Sequence, residues 1–327
     1  MDKDKVIQKF GKIGVLMGGI SSERAISLKS GEAVYSALKE YGFDAIKIDI
    51  TESDYERISK QIESFGLDLA FIVLHGKFGE DGEMQKILEE LGVIYTGSGV
   101  VASRLALNKV LTQNLLKNHG ITVPNYVSLS GDRREDVYQL VQSLGDYPLV
   151  VKPACEGSSI GISVVNEVGQ LNGAVDLALS LDSQVLIEKF IEGRELTVGI
   201  LGQRTLPIVE IRYNASFFDF DSKYGKEHTL YDVPANIDQD MARKISDAAY
   251  EAYRLIGCDG FARVDFILNQ EGKFYLLEIN TIPGFTKTSL LPKAAIKSGI
   301  NFIQLCIEIM ESAYGKKKEK RENFNKF

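Results

Sequence analysis

From Lys12 onward, short apolar runs rich in β-branched residues alternate with segments of helical period. Ile13 to Met17, Ala45 to Ile48 and Leu69 to Leu74 read as strands. In the first segment between them Ala33, Val34, Ala37, Leu38 and Tyr41 recur at i, i+1, i+4, i+5 and i+8, one apolar stripe closed by Gly42. The pattern predicts βαβαβ and a parallel sheet. A helical segment around Ala102 to His119 ends at Gly120, with Pro124 soon after, so a first α/β unit is expected over residues 1–122.

Beyond it the strands come closer together. Leu149 to Lys152, Ile162 to Val165, Val185 to Lys189 and Leu196 to Leu201 surround one helical stretch, Gln170 to Leu181, which predicts a small α+β unit over residues 123–203. From Leu206 to Pro234 polar, aromatic and glycine residues follow no clean period, as expected of a lid or binding loop. A helix from Asp238 to Leu255 then leads to two strands, Gly260 to Leu268 and Lys273 to Ile279. Asn269 to Gly272 make the hairpin between them. Helices near Leu290 to Lys297 and Phe302 to Tyr314 complete a third unit over residues 204–315, and the charged residues 316–327 are expected to be a disordered tail.

Composition narrows the class. With 327 residues the chain is long enough for about two domains or three small ones, and 44% hydrophobic with 25% charged residues excludes disordered, collagenous and disulfide-scaffold chains. A net charge of −7 disfavours nucleic acid as a partner. No apolar run approaches the roughly 18 residues of a membrane span. Cys155, Cys258 and Cys306, odd in number and without a CxxC, suit reduced thiols in the cytoplasm.

The segment VDFILNQEGKFYLLEIN carries the sharpest chemistry. Alternation puts Glu278 and Asn280 on one face, and Asp265 can meet them across the hairpin, giving three oxygen donors suited to Mg²⁺ that completes its shell with substrate phosphates. An ordinary solvated acidic face is the competing reading, and the apolar surroundings count against it. In VVKPACEGSSIGISVV, Lys152 ends a strand and Gly157, Ser158, Ser159 and Gly161 form a turn whose N–H and hydroxyl groups suit an anion. A plain Gly-Ser hairpin fits that pattern equally well. Gly97, Gly99 and Ala102 match GxGxxA, but at the fourth strand and without the ribose carboxylate about 20 residues on, so a dinucleotide dehydrogenase is set aside. The loops holding Gly18 to Arg24 and His75 to Gly82 follow strands one and three, where open α/β sheets bind ligands. His75 alone reads as a structural histidine.

Taken in order, GGISSERAISLKSG, LHGKFGEDGEMQ, VVKPACEGSSIG, IEKFIEGRELTVGIL, DSKY, GFARVDF and EINTIPGFTKTSLLP resemble the D-alanine–D-alanine ligases, ATP-grasp carboxylate–amine ligases, over nearly the whole chain. The resemblance implies an N-terminal parallel-sheet domain, a central domain and a C-terminal domain, with ATP and two Mg²⁺ ions, for which Mn²⁺ can substitute, between the latter two. It also implies a homodimer and a role in peptidoglycan precursor synthesis. By the same resemblance Lys109 and Lys152 bind phosphate, Glu188, Lys189 and Glu195 contact adenine and ribose, and Asp265, Glu278 and Asn280 hold the metal. Ser158 and Ser159 sit in the phosphate loop. Glu23 meets the first D-alanine ammonium and His75 lies by its carboxylate. Arg263 and the Gly284 amide stabilise an oxyanion, and Ser289 with Leu290 receives the second carboxylate. Tyr224 matches a lid tyrosine that bonds towards Ser158 and Glu23. Sibling ligases for D-lactate or D-serine, and a non-catalytic ATP-binding paralogue, are the alternatives. The lid tyrosine argues against D-lactate. Asn108 stands where relatives commonly carry Asp, and Cys155 beside the phosphate loop is a candidate site of oxidation or alkylation unless burial makes it inert.

Overall fold

The computed structural model describes residues 3–131, 137–213 and 229–324. After helix α1 (Lys3–Phe10) come β1 (Lys12–Gly18), α2 (Arg24–Tyr41), β2 (Asp44–Ile50), α3 (Tyr55–Phe65), β3 (Leu69–Ile72), α4 (Glu83–Glu90) and β4 (Ile94–Tyr95). The four strands form a parallel sheet in the order β2-β1-β3-β4. β3 is buried along its whole length and β1 from Ile13 onward, as expected of strands covered on both faces. Gly42 ends α2 in the left-handed region (φ 109°), its N–H closing on the Leu38 and Lys39 carbonyls, which a side chain would resist.

The single helix expected over 102–119 is two, α5 (Val100–Leu107) and α6 (Lys109–Asn118). Asn108 leaves helical geometry (φ −81°, ψ 99°) and its side-chain oxygen accepts the Leu111 N–H at 3.0 Å. A short polar side chain competing with the backbone in this way breaks one helix and caps the next. Lys109 thereby becomes the first residue of a new helix.

The second sheet contains β5 (Tyr126–Ser130), β6 (Leu149–Pro153), β7 (Ser163–Val165) and β8 (Gln184–Lys189), antiparallel in the order β5-β8-β6-β7, with α7 (Val137–Val141) and α8 (Leu171–Leu181) beside it. A third sheet orders β12-β11-β9-β13-β14 from β9 (Arg194–Leu201), β11 (Val209–Tyr213), β12 (Thr229–Asp232), β13 (Phe261–Leu268) and β14 (Phe274–Asn280), with β10 (Arg204–Thr205) on β9. Helices α9 (Gln239–Ile256), α10 (Leu290–Lys297) and α11 (Phe302–Phe324) complete the chain.

Three expectations change. β9, read as part of the central unit, pairs with β13 from Phe261↔Leu201 to Leu268↔Arg194, so the division after residue 203 does not follow the sheets. Local patterning names a strand and not its partner. The segment from Leu206 to Pro234 holds β11 and β12 on either side of residues outside the described set. Its alternation is disguised because Glu210, 5% exposed, is buried under a fork from Arg194 (2.7 and 2.6 Å). Finally, α11 runs to Phe324, so most of the expected disordered tail is helical, propagated from a docked helix by Lys, Glu and Arg of good propensity.

The first and third units share a core around Phe285, which is 0% exposed, while the second sheet packs a core of its own against α8. Its ring meets Phe71 of β3 edge-on at 5.7 Å, Phe261 of β13 at 5.9 Å and Phe302 of α11 at 5.4 Å. Phe285→Ala should therefore cost about 3–5 kcal/mol in denaturant unfolding. A loss below about 1 kcal/mol would refute this junction.

Candidate active site

The hairpin of β13 and β14 brings Asp265 directly opposite Glu278, and Arg263 opposite Asn280. Arg263 forks onto Asp265 (Nε to Oδ1 2.9 Å, Nη2 to Oδ2 2.7 Å), Thr197 Oγ1 donates to Oδ1 at 2.6 Å, and Asn280 Nδ2 donates to Oδ2 at 3.1 Å. Burial opposes the charge on Arg263, but Asp265, Glu278 and Glu80 outweigh it and raise its pKa. Burial likewise pushes the Glu278 carboxyl up, yet Lys109, Lys152 and Arg263 hold it below its ordinary value. Glu278 therefore stays ionised beside the other two oxygen donors.

Two lysines face these acids. Lys109 Nζ lies 3.5 Å from Glu278 Oε2 and donates to the Glu156 carbonyl at 2.5 Å. Lys152 Nζ pairs with Glu188 Oε1 at 2.5 Å, both side chains almost fully buried, and Gln113 Nε2 donates to the other Glu188 oxygen at 2.9 Å. Gln113 was not foreseen, although it stands four residues after Lys109 and so on the same face of α6. Thr197 had no sequence signal, because its role depends on the β9–β13 pairing.

A cavity of about 120 Å³ opens between the second and third sheets. Val150, Val164, Ile267 and Leu277 give it apolar walls, and Lys152, Ser159, Glu188, Lys189 and Glu195 supply polar groups at its edge. Apolar walls with a few convergent polar groups suit a flat heterocycle. A recess of about 20 Å³, the size of a water or an ion, adjoins Lys109, Glu278 and Asn280. Lys189 bonds the Asp146 carbonyl.

The loop after β6, read from the sequence as a phosphate loop, crosses from this cleft to the first unit. Ser158 and Ser159 have φ of 49° and 59°, a left-handed conformation that costs a non-glycine residue about 1–3 kcal/mol and points to a functional constraint. Ser158 Oγ donates to a carboxylate oxygen of Glu23, at the start of α2. Burial raises the Glu23 carboxyl, as do Glu278 and Glu156, while Ser158 and Lys109 pull it down. A cation seated there would be well received.

His75 is 3% exposed and both ring nitrogens are engaged: Nδ1 donates to the Ile282 carbonyl (2.9 Å), leaving Nε2 to accept from Ser30 Oγ (3.2 Å). It pins β3's loop to α2 and to the loop after β14. Glu80 was not singled out, yet it is buried between the Gly76 N–H (2.7 Å) and the Ile282 N–H (3.2 Å). Its signal was an acid five residues after His75 in a loop at a strand's carboxyl end.

Gly284 lies between β14 and α10, and a Cβ there would stand 3.2 Å from Ser289 Oγ. Ser289 Oγ accepts the Thr286 N–H at 3.0 Å, and Leu290 is the first residue of α10. Tyr224 lies outside the described residues. Burial and Asp182 push the Cys155 thiol up to about 12, which keeps it protonated and favours the inert alternative over oxidation.

Asp265, Glu278 and Asn280 stand together as hard oxygen donors. Each carboxylate offers about four lone-pair sites, so those engaged by Arg263 and the lysines leave others for a cation. Among the described residues no three His, Cys, Asp or Glu side chains form a metal site by themselves. A cation here would rest on two carboxylates, an amide and oxygens of a bound molecule, which fits Mg²⁺.

Two antiparallel sheets closing on a cleft lined by paired lysines, with an acid–amide hairpin at its base and a parallel-sheet unit alongside, define an ATP-grasp ligase. The family model described as D-ala D-ala ligase C-terminus matches residues 115–311, and that of the D-ala D-ala ligase N-terminus matches residues 52–98. The chain is 44% identical over 313 residues to the D-alanine--D-alanine ligase of Syntrophotalea carbinolica, covering 96% of this chain and 99% of that one. Among solved structures, the D-alanine--D-alanine ligase of Bacillus anthracis complexed with ATP superposes with a TM-score of 0.84 at 32% identity, covering 95% of this chain and 99% of that one. The VanG D-Ala:D-Ser ligase of Enterococcus faecalis gives 0.78 at 32% identity, with 94% and 99% covered. The chain belongs to the D-alanine–D-alanine ligase family.

Glu80 and His75 make the site's pH behaviour testable. Burial, with Glu23 adding to it, raises Glu80 from 4.5 to about 8, and burial lowers His75 from 6.5 to about 4. Folded Glu80 keeps its proton where the unfolded chain loses it, so its stabilisation is full below pH 4.5 and is lost as pH rises through about 8. His75 has the opposite sign, losing its contribution as pH falls from 6.5 through about 4, so above pH 6.5 the Glu80 slope stands clear of it. Urea midpoints at pH 6.5 and pH 8 should fall in the wild type and change less in Glu80→Gln; parallel slopes would refute the assignment.

Proposed function

We propose that the chain joins two D-alanine molecules into D-alanyl-D-alanine at the expense of ATP, through a D-alanyl phosphate. The observation that carries this reading is the hydrogen bond between Ser158 and Glu23. It sets the loop that would cradle ATP's phosphates against the carboxylate that would hold the first amino acid's ammonium, so donor and acceptor of a phosphoryl group meet at one point.

A carboxylate does not condense with an amine at neutral pH because its leaving group is poor, so it must first be phosphorylated. Its oxygen attacks the γ-phosphorus and ADP departs. Two anions have to approach, and Lys109, Lys152 and Arg263 would neutralise them, chiefly by electrostatics and positioning. Mg²⁺ held by Asp265, Glu278 and Asn280 would add charge neutralisation at the phosphates. The second D-alanine, as free amine, then attacks the acyl carbon, with its carboxylate received by Ser289 and the N-terminus of α10. Arg263 and the Gly284 amide would stabilise the oxyanion, and phosphate leaves. Glu188, Lys189 and Glu195 would hold adenine and ribose in the cleft.

Three free cysteines and the use of ATP support a cytoplasmic setting for this activity, where it would serve peptidoglycan precursor synthesis. Among the described residues no helix is long and apolar enough to cross a membrane. A homodimer is the assembly the family likeness suggests, which sedimentation velocity would check.

Purified protein with ATP and Mg²⁺ should release ADP with D-alanine alone, form the dipeptide by mass, and stay silent with L-alanine. Mixed products dominated by D-serine or D-lactate would move the reading to a sibling ligase, and ATP binding without D-alanine-dependent ADP release would overturn it. Removing the Arg263 charge should lower kcat by about 10² to 10³.

A further inference from the structure

We infer that Lys77 is a positioning residue that latches the phosphate loop to the first-substrate unit, so that closure on ATP is coupled to occupation of the site around Glu23 and Glu80. The inference rests on the ligase reading and extends it.

Lys77 lies between His75 and Glu80, in the loop after β3, yet both its contacts are to the central unit. Its Nζ stands 2.6 Å from Glu156 Oε1 in the phosphate loop and 3.3 Å from the carbonyl of Leu181, the last residue of α8, where a cation meets the negative end of the helix. The Glu156 side chain is 15% exposed and that of Lys77 49%, so the pair is more than a contact between two solvated arms. The Glu156 carbonyl receives Lys109 Nζ at 2.5 Å, and Ser158, two residues on, bonds Glu23. A displacement of residue 156 therefore moves a phosphate-site lysine and the Glu23 partner together. Asp182, next to Leu181, takes the Cys155 N–H at 2.7 Å, so the loop's two sides are held by the same few groups.

A plain surface ion pair would add a little stability and nothing else. A latch makes a different demand: by linkage, D-alanine must tighten nucleotide binding through Lys77. Calorimetric titration with AMP-PNP and Mg²⁺, with and without D-alanine, separates the two for wild type, Lys77→Gln, Lys77→Arg, Glu156→Gln and the double Gln variant. In the wild type D-alanine should tighten AMP-PNP, and in Lys77→Gln that gain should fall about fivefold, the size of one partly exposed pair, while thermal midpoints stay together. Lys77→Arg should restore it, and the double variant should be no worse than either single. In turnover, Lys77→Gln should raise KM for ATP more than it lowers kcat and release phosphate in excess of dipeptide. Full coupling in Lys77→Gln beside an active wild type, or independent addition of the two Gln effects, would overturn the latch alone. A wild type that binds AMP-PNP and forms no dipeptide would overturn the ligase reading.

Discussion

The structure depends on keeping charge buried without leaving it unpaired. Where the second and third sheets meet α6 stand Lys109, Lys152 and Arg263 against Asp265, Glu188 and Glu278, Lys109, Lys152 and Glu188 buried and the others partly so. Any one of these ions alone in the interior would cost several kcal/mol. Each is tolerable only because an opposite charge meets it: Arg263 and Asp265 along β13, Lys152 and Glu188 between strands of the second sheet, and Lys109 of α6 with Glu278 of β14, the pair that ties a helix to the third sheet. Alternating charges on fixed elements also provide a preorganised field, which is what phosphoryl transfer between two anions requires.

Much of this was legible in the chain. The parallel sheet followed from apolar runs and a helical stripe, and the acid–amide hairpin followed from alternation, because both are local properties. What was hidden was non-local. β9 reads as a strand in isolation, but only its partner β13 assigns it to the third sheet, and Thr197's bond to Asp265 comes with that pairing. Glu210 broke an apolar alternation because its partner Arg194 lies on another strand. Asn108 lies within a segment whose period reads as one helix, and it divides that helix in two.

The site shows the same division. Motifs marked Lys152, Asp265, Glu278 and Asn280, since residue type and spacing carry their chemistry, whereas Lys109 stood out only through the family resemblance. Glu80 and Gln113 were passed over, since an acid in a loop and a glutamine on a helix are ordinary until burial makes them costly. His75 illustrates the converse, a residue conspicuous by type whose two nitrogens are spent on joining elements.

Phe285 and Gly284 are neighbours, one at the centre of the shared core and the other beside Ser289. Load-sharing between adjacent residues leaves no slack to absorb a shift. A repacking around the Phe285 ring is transmitted within one peptide unit to the backbone between β14 and α10. Selection for heat tolerance in this enzyme would thus act on turnover as well, and variants far from any substrate would surface as kinetic phenotypes.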